Sequence, residues 1–403
     1  MKKIILIILA ITLTLSLVPL DAFCLAQPNE IQQNKDYTSF PTFDILNDFL
    51  EACPSRVAGS EGEKNASIYL RDKFLSYGLE CKIEEFQFQK DGLIATSYNV
   101  VASTKITSPN LKQIVIGAHY DNVNVGNGAS DNASGITALL SIAKAIATST
   151  TKFNIVFVAF GAEELGMLGS LRYVANLSTT QRDNIALMVN IDSISMGDNV
   201  YFYAEDINTD YNNMFVDVAN NNAYGIKTYA KPISKGIITG FSGLGTYPYF
   251  QMAQSSDNSS FRSVNIPTVS IFSGNYNTAI GYKESSVTSN NVMHTPNDTL
   301  EFGLKALGDD YLKKIEIVSN CVVNILTNIQ FEANIITARE QMVAKFWLSP
   351  WFASAICFVV LIVCGILGYL YINKLKKNAI LGDTEIKNNR IFKPESSDDI
   401  YKL

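Results

Sequence analysis

The chain has 403 residues, 47% hydrophobic and 17% charged, with a net charge of −6 and a mean hydropathy of +0.10. That apolar content excludes intrinsic disorder, and 24 glycines with 11 prolines in no period exclude a collagen-like fibre. The acidic balance, with no basic block, argues against nucleic acid as a partner.

Lys2-Lys3 precede an apolar run from Ile4 to Val18 that ends at Pro19. A charged start followed by an apolar stretch short for a bilayer predicts a signal peptide over 1–26, cleaved after the small residues Cys24 and Ala26. A lipid on Cys24 and a retained anchor are the alternatives. A polar linker follows at 27–39. Apolar spacing predicts helices over 43–53 and 60–77, the second ending at Gly78. Strand-like runs at 81–89 and 95–103 flank Asp91-Gly92 and predict a hairpin. Strands and helices then alternate. Strands are expected at Gln113–Ala118, Phe153–Phe160, Ile185–Ile191, 199–203 and 267–272, and helices at Ser134–Ala147, Glu163–Leu177, 209–221 and 304–329. Such alternation predicts an α/β fold of three layers, a mostly parallel twisted sheet with helices on both faces. The Gly/Ser/Tyr-rich stretch 232–256 reads as a long loop at the rim of a pocket.

A second apolar run, 351–372, is long enough to cross a hydrocarbon core of ~30 Å. Trp347 and Trp351 lie at one end of it, and Tyr369 and Tyr371 at the other, as in an aromatic belt. Lys374, Lys376 and Lys377 follow. By the positive-inside rule they hold 373–403 in the cytoplasm, so the expectation is a single-pass type I cell-membrane protein with its body outside. Residues 331–350 become a juxtamembrane segment. Of the six cysteines, Cys24 leaves with the signal and Cys357 and Cys364 sit in the span. Cys53, Cys81 and Cys321 remain, an odd number that supports no disulfide framework, with a Cys53–Cys81 bridge left open.

In open α/β sheets, ligands bind beyond the carboxyl ends of the strands. Just past successive strand ends stand His119-Tyr120-Asp121, Glu163-Glu164 and Asp192; Asp131 precedes a helix, and His294 lies in the loop before the last one. Singly, each reads as a polar surface residue. Together they include both histidines of the chain, and mixed imidazole and carboxylate donors suit Zn²⁺.

The segments Ala118-His119-Tyr120-Asp121, Gly128-Ala129-Ser130-Asp131-Asn132-Ala133-Ser134-Gly135, Phe160-Gly161-Ala162-Glu163-Glu164-Leu165-Gly166, Asn190-Ile191-Asp192 and His294-Thr295-Pro296-Asn297-Asp298-Thr299 resemble the di-zinc aminopeptidases of metallopeptidase family 28. Pro54-Ser55-Arg56-Val57-Ala58-Gly59-Ser60 fits the same pattern, and the resemblance covers roughly 40–330, the expected zinc peptidase domain. It implies a zinc exopeptidase-like fold, peptide substrates and two Zn²⁺ per chain, in a membrane-anchored bacterial member. Asp131 would bridge the ions, His119 and Asp192 would complete one site, and Glu164 and His294 the other. Glu163 would be the general base, and Asp121 would orient His119.

Two positions depart from the family. Met293 stands where a tyrosine often precedes the last ligand, leaving Tyr276 or Tyr282 as substitutes, and Asn258 stands where His is common. Five Asn-x-Ser/Thr sequons, at Asn65, Asn132, Asn176, Asn258 and Asn297, read as incidental, since two of them abut expected ligands. Carboxypeptidase or glutaminyl cyclase activity on the same scaffold, or a non-catalytic binding ectodomain, are the rival readings.

Overall fold

The computed structural model describes residues 39–104, 111–203, 214, 227–228, 256–275, 284–328, 331, 335 and 350–391. The expected signal peptide and linker, the 209–221 helix apart from Met214, nearly all of the 232–256 loop, and Tyr276 and Tyr282 lie outside the described residues. The chain divides into two units, Met1–Ala338 and Arg339–Leu403.

Among the described residues, the first unit is built on an eight-stranded sheet. Its elements are α1 (Thr42–Ala52), α2 (Glu61–Ser76), β1 (Glu80–Lys90), β2 (Leu93–Ser103), β3 (Gln113–His119), α3 (Ser134–Ala147), β4 (Asn154–Phe160), α4 (Leu168–Asn176), α5 (Thr179–Asn184) and β5 (Ile185–Ile191). After these come β6 (Asn199–Tyr203), β7 (Lys227–Thr228), α6 (Asn258–Arg262), β8 (Thr268–Gly274), α7 (Leu300–Leu307) and α8 (Asp310–Thr327). Spatial order is β1-β2-β4-β3-β5-β8-β6-β7.

The centre β4-β3-β5-β8 is parallel and β6 pairs with β7 in parallel, as expected of a mostly parallel sheet. The sheet is mixed because β1 and β2 run antiparallel to their neighbours and β6 runs antiparallel to β8. The physical reason lies in the connections. A two-residue turn at Asp91-Gly92, with φ of 52° and 78°, joins β1 to β2, and so short a turn closes only an antiparallel pair.

Side chains along β4 alternate between two cores. Ile155, Phe157 and Ala159 join α1, α2, α3 and α8 on one face, while Val156, Val158 and Phe160 meet Tyr173 of α4 and Phe261 of α6 on the other. Every residue of β4, β5 and β8 is buried, as strands covered on both faces must be. The three-layer expectation holds.

Two helices differ from the sequence reading. The helix expected from Glu163 starts only at Leu168, because Ala162, Gly166 and Met167 all take positive φ and close a turn instead. The helix expected over 304–329 is two, α7 and α8, broken at Gly308 with φ 59°. Cys53, Cys81 and Cys321 are free thiols.

In the second unit, helix α9 (Pro350–Ile391) contains a stretch of 23 residues, Ile356–Asn378, whose most apolar 18-residue window has mean hydropathy 2.4. The helix continues beyond Lys374, Lys376 and Lys377 into the segment expected as a tail.

One buried acid ties the layers to the loop after β4. Glu63 of α2 is fully buried; its carboxylate accepts from Gly59 N at 2.6 Å, Ser97 Oγ of β2 at 2.6 Å and Ala162 N at 3.1 Å. Burial pushes this carboxyl from 4.5 up to about 7, against those three donors. The folded state therefore takes up a proton that the unfolded chain lacks, and this contribution to stability is lost as pH rises from about 4.5 through 7. Glu63→Gln, whose amide hydrogens must face one of the donors, should lower stability by about 1–3 kcal/mol at acidic pH. Thermal unfolding of both chains across this range should show the gap narrowing as pH rises; a constant gap would contradict the assignment.

Candidate functional site

The parallel centre delivers the candidate ligands along one edge. His119 is the last residue of β3, Glu163 and Glu164 follow β4, and Asp192 follows β5. Asp131 lies in the turn Ala129–Ala133 ahead of α3, where it and Asn132 leave helical angles (φ −114° and −133°). His294 precedes α7 with φ 59°, one of the few side-chain-bearing residues in the left-handed region.

Asp131 stands between the two histidines. Its Oδ1 lies 3.2 Å from His119 Nε2, and its Oδ2 lies 3.0 Å from His294 Nε2. Asp192 Oδ1 is 3.3 Å from His119 Nε2, and Glu164 Oε2 is 3.0 Å from His294 Nε2. Two triads of donor atoms thus share one carboxylate. The His119 Nδ1 hydrogen donates to the Asp121 carbonyl at 3.2 Å, which fixes the tautomer and turns Nε2 towards two carboxylates. Carboxylate oxygens only accept, so a cation between them and the ring nitrogen is what this arrangement favours.

The pKa shifts express the same field. Contacts with Asp131 and then Glu164 push His294 up to about 11. Burial opposes charging of His119, but Asp192 and Glu163 raise it well above its ordinary value. For Asp131, burial is outweighed by the two imidazoles, which hold the carboxyl well below the usual range. Burial, with Asp257 and Asp192 adding to it, raises Glu163.

The donor set passes a test for a divalent metal. Donor separations of 3.0–3.3 Å are close to the edge of roughly 3.3 Å that a tetrahedron with ~2.0–2.1 Å bonds to Zn²⁺ would have. The atoms of His119, Asp131 and Glu164 all lie within 4.8 Å of one another. Glu164 Oε1 is buried without a hydrogen-bond partner, an acceptor for which a cation is the natural match. A cleft of about 370 Å³ opens over these groups, lined also by Met167, Ser193, Ser270, Phe272 and Met293.

Several residues hold this cluster in place. Asp121 does more than face His119: its carboxylate accepts from the backbone N–H groups of Glu163 (3.0 Å) and Glu164 (3.2 Å), fixing both glutamates. Asp298 does likewise for Ser130 N (2.7 Å) and Asp131 N (3.2 Å). Asn132 accepts from Gly135 N and Ser193 N and donates to the Ile191 carbonyl, so the Asp131 turn is stitched to the end of β5. Arg56, fully buried, donates to the carbonyls of Cys53, Tyr120, Asn127 and Gly128. Desolvation lowers its pKa to about 10, while Asp121, Asp298 and Asp131 raise it, so it remains a cation behind the carboxylates.

A family model described as "Peptidase family M28" matches residues 99–309, more than half of the chain. This chain belongs to peptidase family M28. The "probable leucine aminopeptidase 2" of Aspergillus oryzae is 43% identical over 100 residues, 25% of this chain and 20% of that protein. The "Alkaline phosphatase isozyme conversion protein" of Escherichia coli is 31% identical over 173 residues, 37% of this chain and 49% of that protein. The matched region thus spans between a fifth and a half of these curated relatives. A solved zinc aminopeptidase from Bacillus subtilis shares the fold, with TM-score 0.58 at 16% identity over 72% of this chain and 95% of that one.

Within this M28 chain, sequence reasoning singled out every side chain of the two triads but gave no role to Asn132, Asp257 or Asp298, nor a reason for Arg56. Asp257, beside the departing Asn258, is fully buried; burial pushes its carboxyl up to about 7, with His119 opposing. Its neighbours in the sequence carry no sign of that burial. Arg56 has no acidic residue at pairing distance along the chain, and its acceptors on Tyr120, Asn127 and Gly128 become visible only when the 120–128 loop wraps it.

Gly135 of α3 lies close against the end of β5. A methyl there would meet the Ile191 carbonyl at 2.5 Å and the Asn132 side chain. Gly135→Ala should therefore cost about 1–3 kcal/mol by overpacking and spread Asp131 from Asp192. Thermal unfolding and zinc titration should both register it; an unchanged midpoint would show that the packing yields.

Proposed function

We propose that this M28 chain is a zinc-dependent exopeptidase that removes N-terminal residues from peptides, held at the membrane by α9 with its catalytic unit outside the cytoplasm. The observation that carries the reading is the Asp131 carboxylate, whose two oxygens face one imidazole each. In this reading His119, Asp131 and Asp192 hold one ion, and His294, Asp131 and Glu164 hold the second.

Bound zinc would supply Lewis acidity and make water more acidic, and a bridging carboxylate offsets the repulsion between two close cations. Glu163 lines the cleft without belonging to either triad. It accepts the proton of the attacking water and delivers it to the departing amine nitrogen. Its raised pKa, caused first by burial, favours that return of the proton. Asp121 keeps Glu163 and Glu164 in their separate orientations through their backbone N–H groups. Met293 borders the cleft where relatives often place a tyrosine, so position 293 offers no hydroxyl to a developing oxyanion. The apolar stretch Ile356–Asn378 and the lysines near its end support an outward-facing ectodomain.

Elemental analysis of the purified full chain should find two zinc ions, with His294→Ala losing chiefly one and Asp131→Ala both. Glu163→Gln should keep both ions while kcat on aminoacyl anilides falls by ~10²–10⁴, or about 3–5 kcal/mol of barrier. One metal or none in active protein, or a fully active Glu163→Gln enzyme, would refute this mechanism. Intact cells should also hydrolyse a membrane-impermeant aminoacyl substrate; activity appearing only after lysis would reverse the topology.

A further inference from the structure

His294 is held differently from its counterpart. The His119 side chain is 2% exposed and clasped by β3 and its neighbours, whereas the His294 side chain is 51% exposed. Packing therefore does little to fix the His294 ring, and the backbone that presents it must do the work. That backbone is held at positive φ. Within its turn, Thr295 N and Thr295 Oγ1 both donate to the Val292 carbonyl, at 3.1 and 2.6 Å.

On the other side of the turn lies Glu284, 2% exposed and assigned no role in the proposed reaction. One oxygen, Oε2, accepts from both Val292 N and, at 3.2 Å, Met293 N, the two amides directly before His294. Its own N–H donates to Asn291 Oδ1 at 3.0 Å, closing the loop on itself. The next residues are rooted in turn: Ser285 Oγ and Ser286 N donate to Asp198, at the start of β6, at 2.6 and 2.9 Å. The same device serves the other loops, where Asp121 takes the amides of Glu163 and Glu164 and Asp298 those of Ser130 and Asp131.

We infer that Glu284 is a positioning residue for His294, setting how tightly the His294–Glu164 half of the site holds its ion without touching that ion. The inference rests on the two-ion reading above. A carbonyl oxygen at the Oε2 position would accept the same two hydrogen bonds, so Glu284→Gln should retain the function, whereas Glu284→Met, of similar volume and without an acceptor, should lose it.

Zinc alone is the probe, titrated against the metal-stripped full-length chain in detergent, with unfolding temperature measured in parallel. The first ion should bind E284M as it binds the parent chain. The second should bind roughly 10–100-fold more weakly, the range usual for groups that orient a ligand from behind. E284Q should restore it, and in an H294A background the E284M change should have no further effect on zinc affinity. If E284M does not fold, N291A, which frees the Glu284 backbone but leaves its carboxylate, makes the same measurement and should weaken the second ion alone.

A parent chain that binds fewer than two ions would overturn the two-ion reading itself. Two ions bound equally tightly by parent and E284M, or a loss that persists unchanged with H294A, would overturn the role of Glu284 and leave that reading standing.

Discussion

Asp131 lies 3.2 Å from one imidazole and 3.0 Å from the other, with Asp192 and Glu164 each within 3.3 Å of the same ring nitrogens. In a low-dielectric edge, three carboxylates at this spacing repel one another unless positive charge lies between them. The backbone around them is arranged to hold the groups together against that repulsion. Asn132 ties the Asp131 turn to β5, Asp298 ties it to the loop of His294, and Arg56 lies behind it as a fixed cation.

Carboxylates serve this molecule in two capacities. Asp131, Glu163, Glu164 and Asp192 line the cleft, and oxygens of Asp131, Asp192 and Glu164 face the imidazole nitrogens. Those behind it, Asp121, Glu284 and Asp298, spend their acceptors on pairs of consecutive backbone amides in the loops that carry cleft-lining residues. Loops at a sheet edge lack the ladder hydrogen bonds of strands, so their amides need other partners when buried. An acid below each loop meets that need and fixes the loop, and the desolvation it suffers appears as the upward shifts of Glu284 and Asp298, the latter to about 7.

The two halves of the cluster differ in exposure. His119 is enclosed by the sheet, while His294 stands half in solvent on a turn. An ion held through His294 would exchange more readily with solvent than one held through His119, because fewer packed atoms must move to release it. Cleft and cluster share this open side, where Met293 and Phe272 also reach the surface of the cavity.

The order of elements and the side chains of the two triads were legible in the sequence. A short apolar run such as Ile155–Phe160, among alternating helical segments, reads as a strand covered on both faces, and polar groups just past successive runs of this kind gather at one edge. The hairpin was equally legible, since Asp-Gly at its tip is a local signal. What depended on contacts distant in the chain was not. The antiparallel pairings of β2 with β4 and of β6 with β8 join strands distant in the chain, and the late start of α4 comes from positive φ at Ala162, Gly166 and Met167, where propensity favoured helix from Glu163. Asp121, read from one neighbour, serves amides 42 and 43 residues away. Asp298, and Arg56 beyond its local bond to the Cys53 carbonyl, likewise find partners 64 to 168 residues off. Composition and spacing therefore determined which side chains meet at the edge, while tertiary structure decided what holds them there, because buried amides and carbonyls acquire their partners only when distant loops close over them.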